Sequence, residues 1–448
     1  MYVELHARSA FSFLEGASLP EQLAKRCGEL QIPALALLDR DGVYGAPRMH
    51  LAAREAKIKA HVGAEVTLSN SLLKGIKRDV RYALLAETQA GYQNLCRLIT
   101  RYKSREKKKG EGFSTPEEIR EYSRDLVCLT GGEEGPLAAA LQRGGRQAAL
   151  QEIEKLVSIF GQNNVYVELQ RHFDRDEEYR NRAALEIAES LKLPILATNG
   201  VSYAKCEQRS IADVFTCLRY KRKLDNAGRL LSRNSERNLR SPSEMEQLFA
   251  DLPDAVEHTA ELSSRLKFNL ENLGYEFPQY PVADGDSIHA LLRRETMAGA
   301  RHRYGELTPK ISAQLEHELA VIEELKLGGY FLIVWDIVRF CNQEGIFAQG
   351  RGSAANSAVC YSLGITAVDP VGMKLLFERF LSKERGEYPD IDIDLPSGDD
   401  REKVIQYVYK RYGCQGAAMT ANVITYRRNQ LREKWAKCWA SLKIWWIA

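Results

Sequence analysis

YVEL (2–5), LPEQLAKRCGEL (19–30), ALALLDRDGV (34–43), PRMHLAAREAKI (47–58) and HVGAEVTL (61–68) follow one another with short gaps. The first, third and fifth are apolar runs of strand length. The second and fourth repeat apolar residues at helical intervals, so the order reads strand, helix, strand, helix, strand and predicts an α/β layer or barrel. Loops leaving the ends of such strands are natural places for chemistry. DLVCLTG, NVYVELQ and LPILATNGVSY continue the pattern to about residue 205, and one domain is expected over 1–265.

Within that domain, residues 207–265 read as helices, with Ser241 or Ser243 as an N-cap ahead of a Glu-rich turn. NLGYEFPQYPVADGDS (272–287) then collects Pro, Gly and Asp, the composition of a boundary. A second unit over 266–427 is expected to hold the long helix EHELAVIEELKL, the apolar YFLIVWDIVRFC, a Gly-Ser turn and an acidic strand. The basic RYKSREKKKGEG (101–112) reads as a solvated loop ahead of a dedicated DNA contact. The last segment, 428–448, stands apart, because it carries Trp435, Trp439, Trp445 and Trp446 out of five tryptophans in the chain.

The 448 residues suit roughly two to four domains of ordinary globular composition. Sixty-three Lys and Arg against 60 Asp and Glu leave a net charge of +3. Attraction to nucleic acid must therefore come from local basic patches, not from the field of the whole protein. Nine cysteines lie scattered without a CxxC pair, as expected in a reducing compartment. His6 and Arg8 stand where a signal peptide needs an apolar core, and no run of about eighteen apolar residues occurs. A cytoplasmic protein without a membrane segment is expected.

GIFAQGRGSAANSAVCYSLGIT (345–366) places Gly350, Arg351, Gly352 and Ser353 in a turn before a helical pattern. Such a turn frees backbone N–H groups and aims a helix N-terminus at an anion such as a triphosphate, and Arg351 adds a bidentate phosphate contact. The alternative is a plain structural turn. Downstream, YPDIDIDLP (388–396) alternates Asp390, Asp392 and Asp394 with Ile391 and Ile393. On a strand every second side chain shares a face, so three carboxylates point one way and the isoleucines into a core. Two like charges about 4 Å apart repel by roughly 4 kcal/mol at an effective dielectric near 20, a cost that bound Mg²⁺ would offset. An edge strand guarded by charge is the bland alternative.

QGRGSAANSAVCYSLGITAVDP (349–370), LLFERFLSKERGEYPDIDIDLP (375–396) and REKVIQYVYKRYG (401–413) resemble the palm of bacterial DNA polymerase III alpha subunits, the C family, and its error-prone branch above all. The resemblance implies a palm of the polymerase-beta nucleotidyltransferase type, with Gly352 and Ser353 on the phosphates of the incoming nucleotide. It implies that Asp390 and Asp392 are the first two metal-binding catalytic aspartates. The activity implied is DNA-directed DNA synthesis by two-metal catalysis with Mg²⁺, on primer-template DNA and deoxynucleoside triphosphates, in error-prone or repair synthesis. Sliding-clamp contacts are expected only of the full-length family. Leu395 in place of the usual Phe, and PSGDD in place of a charged run, bear on local packing more than on chemistry.

ELHARSAFSFLEGAS, ALALLDRDGVYGA, VGAEV and LPILATNGVSY resemble the PHP (polymerase and histidinol phosphatase) domain of the same polymerases, which implies a (β/α) barrel with a multi-metal phosphoesterase cluster. His6 stands at the first position of its H-x-H pattern, but the second is Arg8. Asp39 matches the Asp of T-D-H, but the His is Arg40. Glu15 and Glu65 match acidic positions, whereas Gly200 and Ser202 stand where the family commonly offers Asp and His. Arginine cannot coordinate a cation. The metal cluster is therefore expected to be lost, and the domain to serve as a scaffold.

The family resemblance holds through VITYR (423–427) and ends at RNQLREKWAKCW. Codons for LREKWAKCW can be chosen so that another frame reads AREVGKVL, which resembles the family's continuation; a frameshift near Arg428 is the expectation. Family members continue for several hundred residues with a third catalytic aspartate, so a truncated fragment with little or no primer extension of its own is expected. Two other readings stand beside it, a PHP-type metal-dependent phosphoesterase and a non-enzymatic remnant.

Overall fold

A computed structural model describes the chain except residues 69–78, 106–109, 111, 272, 275, 276, 283, 284, 383–388, 421, 424 and 426–448. The segment 428–448 and part of the basic stretch 101–112 thus lie outside the described residues. Two compact units result, Met1–Leu273 and Gly274–Ile424.

Among the described residues the first unit forms a seven-stranded sheet in chain order: β1 (Glu4–Ala7), β2 (Ala34–Arg40), β3 (Lys59–Leu68), β4 (Val80–Ala86), β5 (Leu126–Leu129), β6 (Val165–Leu169) and β7 (Ile195–Ala197). Neighbours run parallel except for β4, which is antiparallel to both β3 and β5. The helices Pro20–Glu29 and Ala46–Ala56 cross between the first three strands, as the opening pattern predicts. Beyond β7, Val201 pairs with Ala7, the Arg8 N–H donating to Val201 O at 2.8 Å and the Val201 N–H to His6 O at 2.9 Å. The sheet is therefore curled until its two ends meet.

Every residue of β1, β4, β5 and β6 is buried, which is why these strands read as mostly apolar runs, broken by single charged residues, instead of alternating ones. Side chains still divide by period 2, with Tyr82, Leu84 and Ala86 in one core and Ala83 and Leu85 in the other. The helical segment begins at Arg209–Tyr220 and resumes at Pro242–Leu248 and Pro253–Arg265. Ser241 caps the second of these in a capping box, its hydroxyl accepting from the Glu244 N–H at 3.3 Å while the Glu244 carboxylate accepts from the Ser241 N–H at 2.7 Å.

In the second unit, the helices Ile288–Tyr304, Pro309–Glu324 and Gly328–Gln343 surround a core that includes Leu292, Leu315, Ile322, Phe331 and Val338. A short antiparallel ladder joins β8 (Gln349–Arg351) to β9 (Asp392–Asp394), and the helix Asp399–Gly416 follows. No described helix is long and apolar enough to cross a membrane.

Candidate functional site

In the first unit, strand ends deliver charged groups into a cavity of about 130 Å³. His6, at β1, lies between two buried carboxylates, with Nε2 at 2.8 Å from Glu65 on β3 and Nδ1 at 2.7 Å from Glu168 on β6. Burial alone would lower its pKa, but Glu168 and Glu65 outweigh burial and raise it to about 10, so the ring is a cation at neutral pH. Arg8 Nη2 stands 2.7 Å from both Glu65 and Glu134.

Glu15 is the centre of the arrangement. Its carboxylate lies 2.6 Å from Arg81, 2.7 Å from Arg40, 2.7 Å from Arg219 and 3.8 Å from Arg8. Burial would raise the Glu15 pKa, but the Arg81 and Arg8 guanidinium groups hold it below the ordinary value. Arg81 itself is only 1% exposed at its side chain, an unusual burial for arginine that the surrounding carboxylates make tolerable.

Of the residues singled out by sequence, His6, Arg8, Glu15, Glu65, Gly200 and Ser202 line this cavity. Asp39 is committed elsewhere: one oxygen accepts from the Ser9 N–H and the Ser12 hydroxyl, each at 2.7 Å, the other from the Ser9 hydroxyl at 2.8 Å. Gly200 adopts φ +51, and a Cβ there would stand 2.6 Å from Gln170 Nε2, so the Gln170 amide fills the space a larger residue would need.

In the second unit, the β8–β9 register sets Arg351 opposite Asp392 and Gln349 opposite Asp394. Arg351 Nε lies 3.3 Å from Asp394 and 3.9 Å from Asp392, all three side chains being more than half exposed. Ile391 and Ile393 pack toward the core, as the alternation predicts. The expectation of three carboxylates on one strand is corrected: β9 covers Asp392–Asp394 only. Asp390 follows Pro389, which has no N–H, and the Ile391 N–H goes to the Tyr330 hydroxyl at 3.0 Å instead of to a ladder partner. Among the described residues no group of three or more His, Cys, Asp or Glu is gathered for a metal.

The turn is built as glycine requires. A Cβ at Gly350 would meet Ile365 O at 2.5 Å, and Gly352 takes φ +71, a left-handed conformation that side chains resist. Gly352–Asn356 is a 3₁₀ turn, and the helix after it, Ala358–Ser362, has five residues. The expectation that this helix N-terminus faces an anion is also corrected. Its N–H groups at Ala358 and Val359 donate to the carboxylate of Glu318, each at 3.0 Å. A buried carboxylate already satisfies the helix end.

The family model of the PHP domain matches residues 4–172, and that of the bacterial DNA polymerase III alpha NTPase domain matches residues 290–440. The second match thus runs past Arg428. The chain carries a PHP domain and a bacterial DNA polymerase III alpha NTPase domain. It is 44% identical over 431 residues to a protein of Mycolicibacterium paratuberculosis named error-prone DNA polymerase, covering 95% of this chain and 39% of that one. Proteins of the same name from Nocardia farcinica and Bordetella parapertussis are 40% identical over 481 residues and 41% identical over 436, covering 95% and 96% of this chain and 41% of each relative. The chain spans about two-fifths of the length of the relatives it matches.

In this chain the metals of a PHP cluster do not fit the residues present. Arg8, Arg40, Arg81 and Arg219 already neutralise the carboxylates that would bind them. Sequence reasoning identified Arg8 and Arg40 but missed Arg81, Glu134, Glu168 and Arg219. The signal for two of them was visible: Arg81 interrupts VRYALLA and Glu168 interrupts VYVEL, charges inside otherwise apolar strands.

His6 makes the fold sensitive to alkali. Its folded pKa of about 10 exceeds the unfolded value, so its contribution is complete below about pH 6.5 and is lost as pH rises through 10. Glu4, pushed up to about 7 by burial against the pull of Tyr2, His6 and Asn199, acts in the same direction. Melting temperature is expected to fall steadily from pH 7 to pH 10, and less steeply in His6→Asn. A flat wild-type profile would contradict the assignment of a protonated His6.

Proposed function

We propose that the second unit binds a deoxynucleoside triphosphate with Mg²⁺, as part of a DNA-directed DNA polymerase that extends a primer on template DNA in error-prone or repair synthesis in the cytoplasm. The observation that carries this reading is the β8–β9 pairing, which holds the Gly350–Ser353 turn against Asp392 and Asp394. One edge then offers a phosphate cradle beside hard oxygen donors. Mg²⁺ is commonly held by one or two carboxylates together with substrate phosphates, and the donor set here fits that habit.

In this reading Asp390 and Asp392 hold the metal, and Asp394 is near enough along the strand to contribute. Bound Mg²⁺ supplies charge stabilisation on the phosphoryl oxygens and acidifies the attacking 3′-hydroxyl. The chain's own groups do the positioning. Ser353 and the N–H groups of the turn bind phosphate oxygens, and Arg351, exposed beside the aspartates, turns its guanidinium to the triphosphate. The first unit acts as a scaffold.

The test is a titration of the chain with dATP and Mg²⁺, followed by calorimetry. Binding is expected in the wild type, and Asp392→Asn is expected to weaken it by roughly tenfold or more, since each tenfold corresponds to about 1.4 kcal/mol. Equal affinity in the two proteins, or no binding by the wild type, would overturn the reading.

A further inference from the structure

Glu318 sits on the helix Pro309–Glu324 with no exposed surface. Folding seldom places a carboxylate in such a position, because desolvating the charge costs several kcal/mol unless bonds replace water. Burial raises its pKa against the pull of its donors. Those donors are neutral, and three of the four come from one segment, Ser357 to Val359. Ser357 Oγ donates at 2.7 Å and the Val359 N–H at 3.0 Å to one oxygen; the Ala358 N–H at 3.0 Å and Gln314 Nε2 at 2.8 Å donate to the other.

Ser357 is the residue directly after the Gly352–Asn356 turn. Its N–H donates to Ala354 O at 3.1 Å, and the neighbouring Asn356 Nδ2 donates to Ser353 O at 2.9 Å. Bonds thus run from Glu318 through Ser357 into the turn that carries Ser353. A hydrophobic residue of the same volume could fill the core here, but it could not fix three donors of one segment at once.

We propose that Glu318 is the positioning residue of the nucleotide turn: it clamps Ser357–Val359 from behind, so that Ser353 and the turn N–H groups face the triphosphate. It touches no substrate. The inference rests on the reading of the turn as a triphosphate site.

Glu318→Gln is the informative variant. One end of the amide still accepts, but its NH₂ must face N–H donors at the other end, so part of the clamp is lost with volume conserved. Hydrogen–deuterium exchange on the full chain is expected to speed up about tenfold at residues 352–359 and to stay unchanged in Gly328–Gln343. Affinity for dATP with Mg²⁺ is expected to fall about tenfold. Ser357→Ala, which removes one of the four bonds, is expected to move both readouts less and in the same direction, and it carries the test if Glu318→Gln does not fold.

Wild-type exchange and affinity in both variants would overturn the proposal. Faster exchange with unchanged affinity would also overturn it, leaving Glu318 a merely structural residue. No dATP binding by the wild type would bring down the reading of the site, and the proposal with it, a result distinct from a failure confined to the variants.

Discussion

Replacing Glu15 with alanine is expected to lower the unfolding free energy of the first unit by about 3–5 kcal/mol, the range seen when one partner of a buried ion pair is removed. Arg81, Arg40, Arg219 and Arg8 all lie within 3.8 Å of this one carboxylate, so its loss leaves several positive charges facing each other. Arg81 suffers most, since at 1% exposure it cannot turn to water. Glu65 and Glu134 remain as partners for both Arg8 and Arg81, which limits the damage. Glu15→Gln keeps the volume and one acceptor and is expected to cost roughly half as much. Melting temperature should drop on the order of 10 °C for the alanine variant, measured by calorimetry. A loss below about 1 kcal/mol would mean that the arginines find new partners and that Glu15 is not the centre of the network.

The second large effect is expected at Asp336, which is fully buried in the other unit. It accepts from the Tyr407 hydroxyl at 2.7 Å, the Tyr412 hydroxyl at 2.9 Å, the Tyr280 hydroxyl at 3.3 Å and Arg339 Nη2 at 2.6 Å. These donors tie the helix Asp399–Gly416 to the helix Gly328–Gln343, aided by Phe340 and Tyr407, whose rings stack 3.9 Å apart. Asp336→Ala is expected to cost about 3 kcal/mol, the scale of hydrogen bonds to a charged group. The loss should be local, because both tyrosines on the outer helix are only half-buried. Deuterium exchange should therefore accelerate in Asp399–Gly416 well before the unit unfolds. Unchanged protection of that helix would show that the Phe340–Tyr407 stack suffices to hold it.

The alternation of short apolar runs with helical patterns over 2–68 was legible because each element there is chosen by its own neighbours in sequence. The N-cap ahead of the Glu-rich turn was legible for the same reason, with Ser241 and Ser243 both open until the structure chose Ser241. What could not be read was anything fixed by distant partners. Ala7 meets Val201 only because the sheet curls through seven strands, and nothing in VELHA or NGVSY announces the pairing. Glu134, in a loop, and Arg219, in the last turn of the helix Arg209–Tyr220, become site residues although their local spacing is ordinary. Glu318 looked like one more glutamate of EHELAVIEELKL, and its role depends on a segment about 40 residues onward. The acidic motif misled in a smaller way. Its period of two is real for Asp392 and Asp394, but Pro389 and the Tyr330 hydroxyl keep Asp390 off the ladder.

The guanidinium groups around Glu15 bear on how the first unit comes into being. A cluster that relies on metal must be loaded, competes for scarce ions and can be stripped by a chelator. This one is synthesised complete, with its counter-ions encoded in the same polypeptide and covalently incapable of escape. The arginines meet the carboxylates only where the folded chain brings them together, so charge balance arrives with the fold.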